Sequence, residues 1–134
     1  MAKKKSSIWL NRGLLLGGYV ALVTSQAEFE KALADIKLTD YKDTFVPNGW
    51  PACTHSFANV DGSIACIVGL DLAHCAEQDS IDVAALLVHE AVHVWQQNES
   101  KAGALGCFGT EGEAYAIQNI STQLMTEYAR RING

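Results

Sequence analysis

The sequence is short of charge, of paired cysteines and of long apolar runs, and each shortage narrows what the chain can be. Charged residues make up 19% and the formal net charge is −5. A mildly acidic chain has no electrostatic pull toward nucleic acid or anionic lipid. Its one basic run, Lys3-Lys4-Lys5, reads as a solvated tail. No stretch reaches the ~18 uninterrupted apolar residues of a membrane span. The four cysteines (Cys53, Cys66, Cys75 and Cys107) form no C-x-x-C pair, which excludes a cysteine zinc knuckle. They are expected to be reduced core residues, because a globular chain of this size needs no disulfide framework. Neither an internal repeat nor a low-complexity segment is found.

What is present is an apolar content of 49% in 134 residues, enough for one core and one domain. Residues 1 to 12 read as a tail. Lys3 to Lys5, the apolar stretch from Gly13 to Val23 and Ser25-Gln26-Ala27 trace the outline of a secretory signal. Asn11 and Arg12 interrupt its apolar run, and the preferred reading is a buried strand from Gly18 to Val23. The expected compartment is therefore the cytoplasm, with secretion or association with a virion as alternatives. Thr24 or Ser25 caps a helix with the stripe Phe29, Leu33 and Ile36. A turn-rich segment follows from Thr39 to Pro51. Cys53 to Asn59 and Ile64 to Leu70 then flank Asp61-Gly62, which suits a type I′ hairpin turn. That turn predicts His55 opposite Val68 and Phe57 opposite Cys66.

Ser80 caps a long helix to about Gln97, with an inner stripe of Ile81, Ala84, Val88, Val92 and Trp95. A glycine-containing loop, Asn98 to Gly109, leads to a second long helix from Thr110 to near Arg131. The fold class is α+β, with a small antiparallel sheet packed on helices.

Within the first long helix, His89-Glu90-Ala91-Val92-His93 spells H-E-x-x-H. Helical positions i and i+4 lie about 40° apart around the axis and one turn along it, so the two imidazoles can converge on one metal ion. Glu90, turned by about 100°, can flank that ion and take a proton from its water. Zinc suits the chemistry because it brings the pKa of bound water to about 7. Two exposed histidines would be the bland explanation, but Leu86, Leu87 and Val88 precede the motif and Val92, Val94 and Trp95 follow it. Polar groups in so apolar a helix are costly to bury unless they bind something.

A catalytic zinc takes three protein ligands. Glu113 is the candidate for the third, on one face with Ile117, Ile120 and Leu124. Glu111 points about 160° away, and Glu127 lies more than three turns along. The competing role for Glu113 is a capping box with Thr110.

The five-residue motif with Glu113-Ala114 twenty residues beyond it resembles the gluzincin group of zincin metallopeptidases. The run His89 to Gln96 is also similar to a His-Glu-x-x-His-Val-Trp-Gln helix in phage-encoded and bacterial proteins. The resemblance covers roughly residues 50 to 128. It implies a zincin-like fold, with zinc on His89, His93 and Glu113, Glu90 as general base and a peptide or protein as substrate. It also implies an edge strand, here Ile64 to Leu70, able to hold a peptide by strand addition. Peptidases of this group carry a further His or Tyr for the oxyanion; Tyr115 and His55 are the candidates, with Tyr128 and His74 behind them. The alternative is a zinc-binding domain without catalysis, serving binding or assembly, for example in a phage particle.

Overall fold

The computed structural model describes residues 8–10, 18–60, 62–104 and 109–133. The elements are β1 (Tyr19–Val23), α1 (Gln26–Asp35), β2 (Ala52–Ala58), β3 (Ile64–Leu70), α2 (Leu72–Ala76), α3 (Ser80–Ala104) and α4 (Thr110–Asn133). The fold is mixed α+β, with a three-stranded sheet and four helices among the described residues.

Strand order is β1-β3-β2. The sheet is not wholly antiparallel as expected: β1 runs parallel to β3, and only β2 and β3 pair antiparallel. The central position of β3 explains its sequence. Its residues from Ala65 to Leu70 are buried on both faces, so the strand reads as a continuous apolar run without alternation.

The hairpin register also differs from the expected one. His55 lies opposite Ile67 and Phe57 opposite Ala65. The connection holds three residues, not two. The Gly62 amide donates to the Asn59 carbonyl and the Asn59 amide to the Ser63 carbonyl. Gly62 has φ +86°. This is a turn followed by a glycine bulge, a three-residue solution that a dipeptide search for a tight turn overlooks.

The residues expected to be a tail include an ordered piece. Ile8 is buried, Trp9 bridges Ala21 antiparallel, and Leu10 bonds to Val20. The long apolar side chains at 8 to 10 reward docking on β1 more than solvation.

One face of the sheet packs on α1 through Ala21, Val23, Ile67, Phe29, Ala32 and Leu33. Ser25 is the N-cap, its hydroxyl accepting from the Glu28 amide, a contribution of about 1 kcal/mol. The 39–51 segment crosses the same face. It passes so close over Gly69 that an added Cβ would sit 2.0 Å from the Phe45 carbonyl oxygen; only glycine fits.

The other face carries the larger core. Val20, Leu22, Cys66, Val68 and Leu70 meet Val83, Leu87, Ala91, Val94 and Trp95 of α3, and Ala116, Ile120 and Leu124 of α4. The inner side of α3 is therefore Val83, Leu87, Glu90, Ala91, Val94, Trp95 and Asn98; of the predicted stripe only Trp95 is fully buried. Ile81 and Val88 of that stripe are exposed at 76% and 37%. The helix is turned by roughly 100° from the expectation. A helix apolar around most of its circumference does not reveal which side meets the sheet, and the expected stripe would have left Glu90 outside. Two boundaries also move. Asp79, not Ser80, caps α3, its carboxylate accepting from the Ile81 amide at 2.8 Å. The helix then continues past Gln97 to Ala104, with the Asn98 side chain bonding back to the Val94 carbonyl.

The described cysteines, Cys53, Cys66 and Cys75, are free, and burial pushes the Cys66 thiol up to about 12 against a hydrogen bond from Asn98. Cys107 lies outside the described residues. No helix among the described residues is long and apolar enough to cross a membrane.

The end of α4 is tied to the start of α1 by charge. Arg131 reaches Glu28 at 2.7 Å and Glu127 at 3.1 Å, and donates to the Leu22 carbonyl. Burial pulls the Glu28 pKa upward, but the Arg131 hydrogen bond, the Thr24 amide and hydroxyl and the Arg131 charge more than offset it, leaving it below the ordinary value. The Arg130 hydrogen bond lowers Glu127, opposed by burial and reinforced by Arg131. Carboxylates depressed in the folded chain add stability above their unfolded pKa, near 4.5, and lose it as pH falls through the lower folded values. Urea midpoints should therefore fall between pH ~5 and pH ~3. Glu28→Gln should flatten that slope and cost about 1 kcal/mol near neutrality. An unchanged slope in the variant would show that Glu28 is not one of the groups responsible.

Candidate functional site

His89 and His93 stand one turn apart on the side of α3 that faces away from the core. Their Nε2 atoms are 3.1 Å apart and the rings meet edge to face. His93 Nδ1 donates to Gln96 Oε1 at 3.0 Å, which fixes its tautomer and leaves Nε2 as the acceptor turned toward His89 Nε2.

Glu90 turns the other way, into the interface between α3 and the sheet, and is 3% exposed. Thr54 of β2 donates its hydroxyl to Glu90 Oε2 at 2.5 Å. A short bond to a carboxylate is of the strong, charge-assisted kind and fixes its orientation. Oε1 makes no hydrogen bond among the described residues.

These side chains line a cavity of about 560 Å³ between α3 and the start of β2. One wall is Trp50, Pro51, Ala52, Cys53 and Thr54; the other is Asp82, Ala85, Leu86, His89, Glu90, His93 and Gln97. Burial, then the nearby Glu90 and Asp43 charges, raise the Cys53 pKa, which disfavours a thiolate there. Comparison with protein-family models, with curated proteins and with solved structures finds no match for this chain.

Of the residues singled out in the sequence, the fold brings His89, Glu90 and His93 to one cavity. Glu113 is not in its lining; it lies half-buried in the first turn of α4, its amide bonded to the Gly109 carbonyl. Thr110 is already helical, and the Glu113 carboxylate makes no capping-box bond to its amide. Among the described residues no three His, Cys, Asp or Glu side chains are grouped to hold a metal ion. Glu111 is exposed, as expected, and Glu127 belongs to the arginine cluster.

The oxyanion candidates are placed elsewhere. His55 is on the opposite face of the sheet, its ring 4.6 Å from Phe29 and its Nε2–H donating to the Phe45 carbonyl at 3.0 Å. Tyr115 is 55% exposed on α4. Tyr128 packs beside the larger core and His74 lies on α2. None of the four lines the cavity.

The strand beside the site is β2 and not β3. Both edges of β3 are occupied, by β1 and β2, so it cannot accept a further strand. One long edge of β2 has no strand partner among the described residues. The Asn59 and Asp71 amide bonds to Ser63 and Pro51 fix which pairs of the hairpin are bonded to each other. By alternation, the amides and carbonyls of Thr54 and Ser56 then point to the open edge. Sequence reasoning missed Thr54, Trp50 and Asp82. Thr54 carried a signal only through the register, because its face follows from the pairing with Val68.

Proposed function

We propose that the chain is a zinc-dependent, zincin-like peptidase that hydrolyses a peptide bond in the groove between α3 and the open edge of β2. The observation that carries this reading is the convergence of two imidazole nitrogens at 3.1 Å beside a buried carboxylate held by Thr54. The pair fits the ion. Two nitrogens bound at ~2.0–2.1 Å in a tetrahedral arrangement lie ~3.3 Å apart, close to the separation found. The Gln96 bond to His93 is the kind of outer contact that fixes a ligating tautomer. His89 and His93 would hold the metal, and Glu113 is the third ligand that the gluzincin resemblance assigns. Zinc there would polarise the scissile carbonyl and make water acidic enough to attack near neutral pH.

The chain's own groups supply the rest. Glu90 accepts the proton of the attacking water on the oxygen that Thr54 leaves free, then returns it to the departing amine. Thr54 keeps the carboxylate aimed. The outward amides and carbonyls of Thr54 and Ser56 hold the substrate backbone as an added strand.

The test is a zinc titration followed by exposure of the loaded protein to an unbiased peptide library. About one zinc per chain and at least one cleaved sequence are expected. Zinc uptake without any cleavage would overturn the peptidase and leave a metal-binding module. No uptake at all would remove both.

A further inference from the structure

The cavity extends well beyond the histidines. Asp82, His89 and His93 are separated by seven and four residues, so they fall within about 20° of one line along α3. Asp82 stands about two turns, roughly 10 Å, from His89. Between them the groove is apolar, lined by Ala85 and Leu86 on the helix and by Trp50 and Pro51 opposite. Trp50 is 57% exposed there, an unusual place to leave a large aromatic.

The charged lining is Asp82 and Glu90, with no lysine or arginine among the lining residues. Asp82 is exposed and makes no ion pair or side-chain hydrogen bond among the described residues. Its position in the first turn of α3 gives it a favourable interaction with the helix dipole, but that explains neither the apolar channel running from it nor Trp50 at the rim.

We infer that this arm of the groove selects a peptide with a lysine or arginine close to the bond at His89 and His93. The inference rests on the groove being a peptide site. A basic side chain is the one kind that matches both parts of the arm: its methylene stem lies on Leu86, Pro51 and Trp50 while its charge reaches Asp82. Trp50 adds attraction for a cation within reach of its ring. The net charge of −5 favours approach of a basic peptide at low salt. With roughly 3.3–3.6 Å per extended residue, the distance to Asp82 spans about three residues, so the basic residue falls within about three positions of the cleaved bond.

The test reads binding, not turnover. Full-length protein carrying Glu90→Gln is loaded with zinc and titrated with fluorescein-labelled alanine-based hexapeptides. Each peptide carries one lysine, or one norleucine, at each position in turn. At one position lysine should bind about fivefold tighter than norleucine, the size of an exposed ion pair. Asp82→Asn should erase that preference, Asp82→Glu should keep it, and raising the salt should weaken it in the parent. Equal binding of the two sets, binding of neither, or a preference that survives Asp82→Asn would overturn the inference. A lysine preference in a protein whose parent cleaves nothing would overturn the peptidase and leave the selectivity standing; cleavage without preference would do the reverse.

Discussion

Glu90→Gln should abolish peptide cleavage while leaving the fold and metal binding intact. Glutamine has the shape of glutamate, and its carbonyl oxygen can accept the Thr54 hydroxyl as Glu90 Oε2 does at 2.5 Å. The side chain is 3% exposed, and an isosteric neutral replacement there leaves no cavity and no buried charge. What is lost is the capacity to accept a proton, and a positioned general base contributes about 10²–10⁴-fold. The loss should appear in kcat with KM little changed, because the group acts on the water and does not grip the peptide. Thr54→Val should cost less, about tenfold, since the carboxylate survives but loses the bond that aims it. Matched zinc stoichiometry by metal analysis and matched thermal midpoints establish that the variants are folded and loaded. Wild-type rates in Glu90→Gln would remove Glu90 as the base and, with it, the hydrolytic reading of the site.

The parts of this site legible in the sequence are those set by local helix geometry. The spacing of His89 and His93 brings their nitrogens together on any helix, and the fold obeys it. The three strands, α1 with its Ser25 cap region, α3 and the start of α4 at Thr110 were legible for the same reason, since caps and periodicity act within a few residues. The short α2 capped by Asp71 was not expected.

Non-local features were not legible. The rotation of α3 depends on which of two apolar sides the sheet accepts. It is this rotation that buries Glu90 against β2 while turning the histidines to the groove. Thr54 is thirty-six positions from Glu90, and its contact follows from a register one residue away from the one predicted. A shift of that size moves a side chain to the other face, so Thr54 and His55 exchange roles: the threonine meets Glu90 and the histidine stacks on Phe29. The parallel pairing of β1 with β3, which makes β2 the open edge, leaves no local trace either. The acidic arm at Asp82 is an intermediate case. Its alignment with His89 is pure helix geometry, but the wall that makes it a groove comes from Trp50 and Pro51, more than thirty residues upstream.

His93→Ala should reduce zinc affinity by at least about 100-fold, a larger loss than the 10- to 100-fold typical when only an outer partner of a ligand is removed. The two Nε2 atoms are the ones the fold brings together, and deleting one leaves a single imidazole exposed to water. Gln96→Ala tests the same site one step out. The His93 ring loses the acceptor that holds its Nδ1 proton at 3.0 Å, and affinity should fall about tenfold while stoichiometry stays at one. Neither change disturbs the core, because Gln96 is exposed and His93 is only half-buried. The metal-free variants should therefore melt close to the metal-free parent. The parent itself should gain about 2.7 kcal/mol from zinc at a hundredfold excess over Kd, a rise on the order of 10 °C for a chain of this length. Chelator competition gives the affinities and thermal melts the linked stabilisation. Glu113→Ala completes the series: a loss comparable to that of His93→Ala assigns it the third ligand position, whereas unchanged affinity takes it out of the site and leaves the histidine pair as the centre. A parent that shows neither uptake nor a shifted melt would mean that the two imidazoles meet at 3.1 Å only to share a proton.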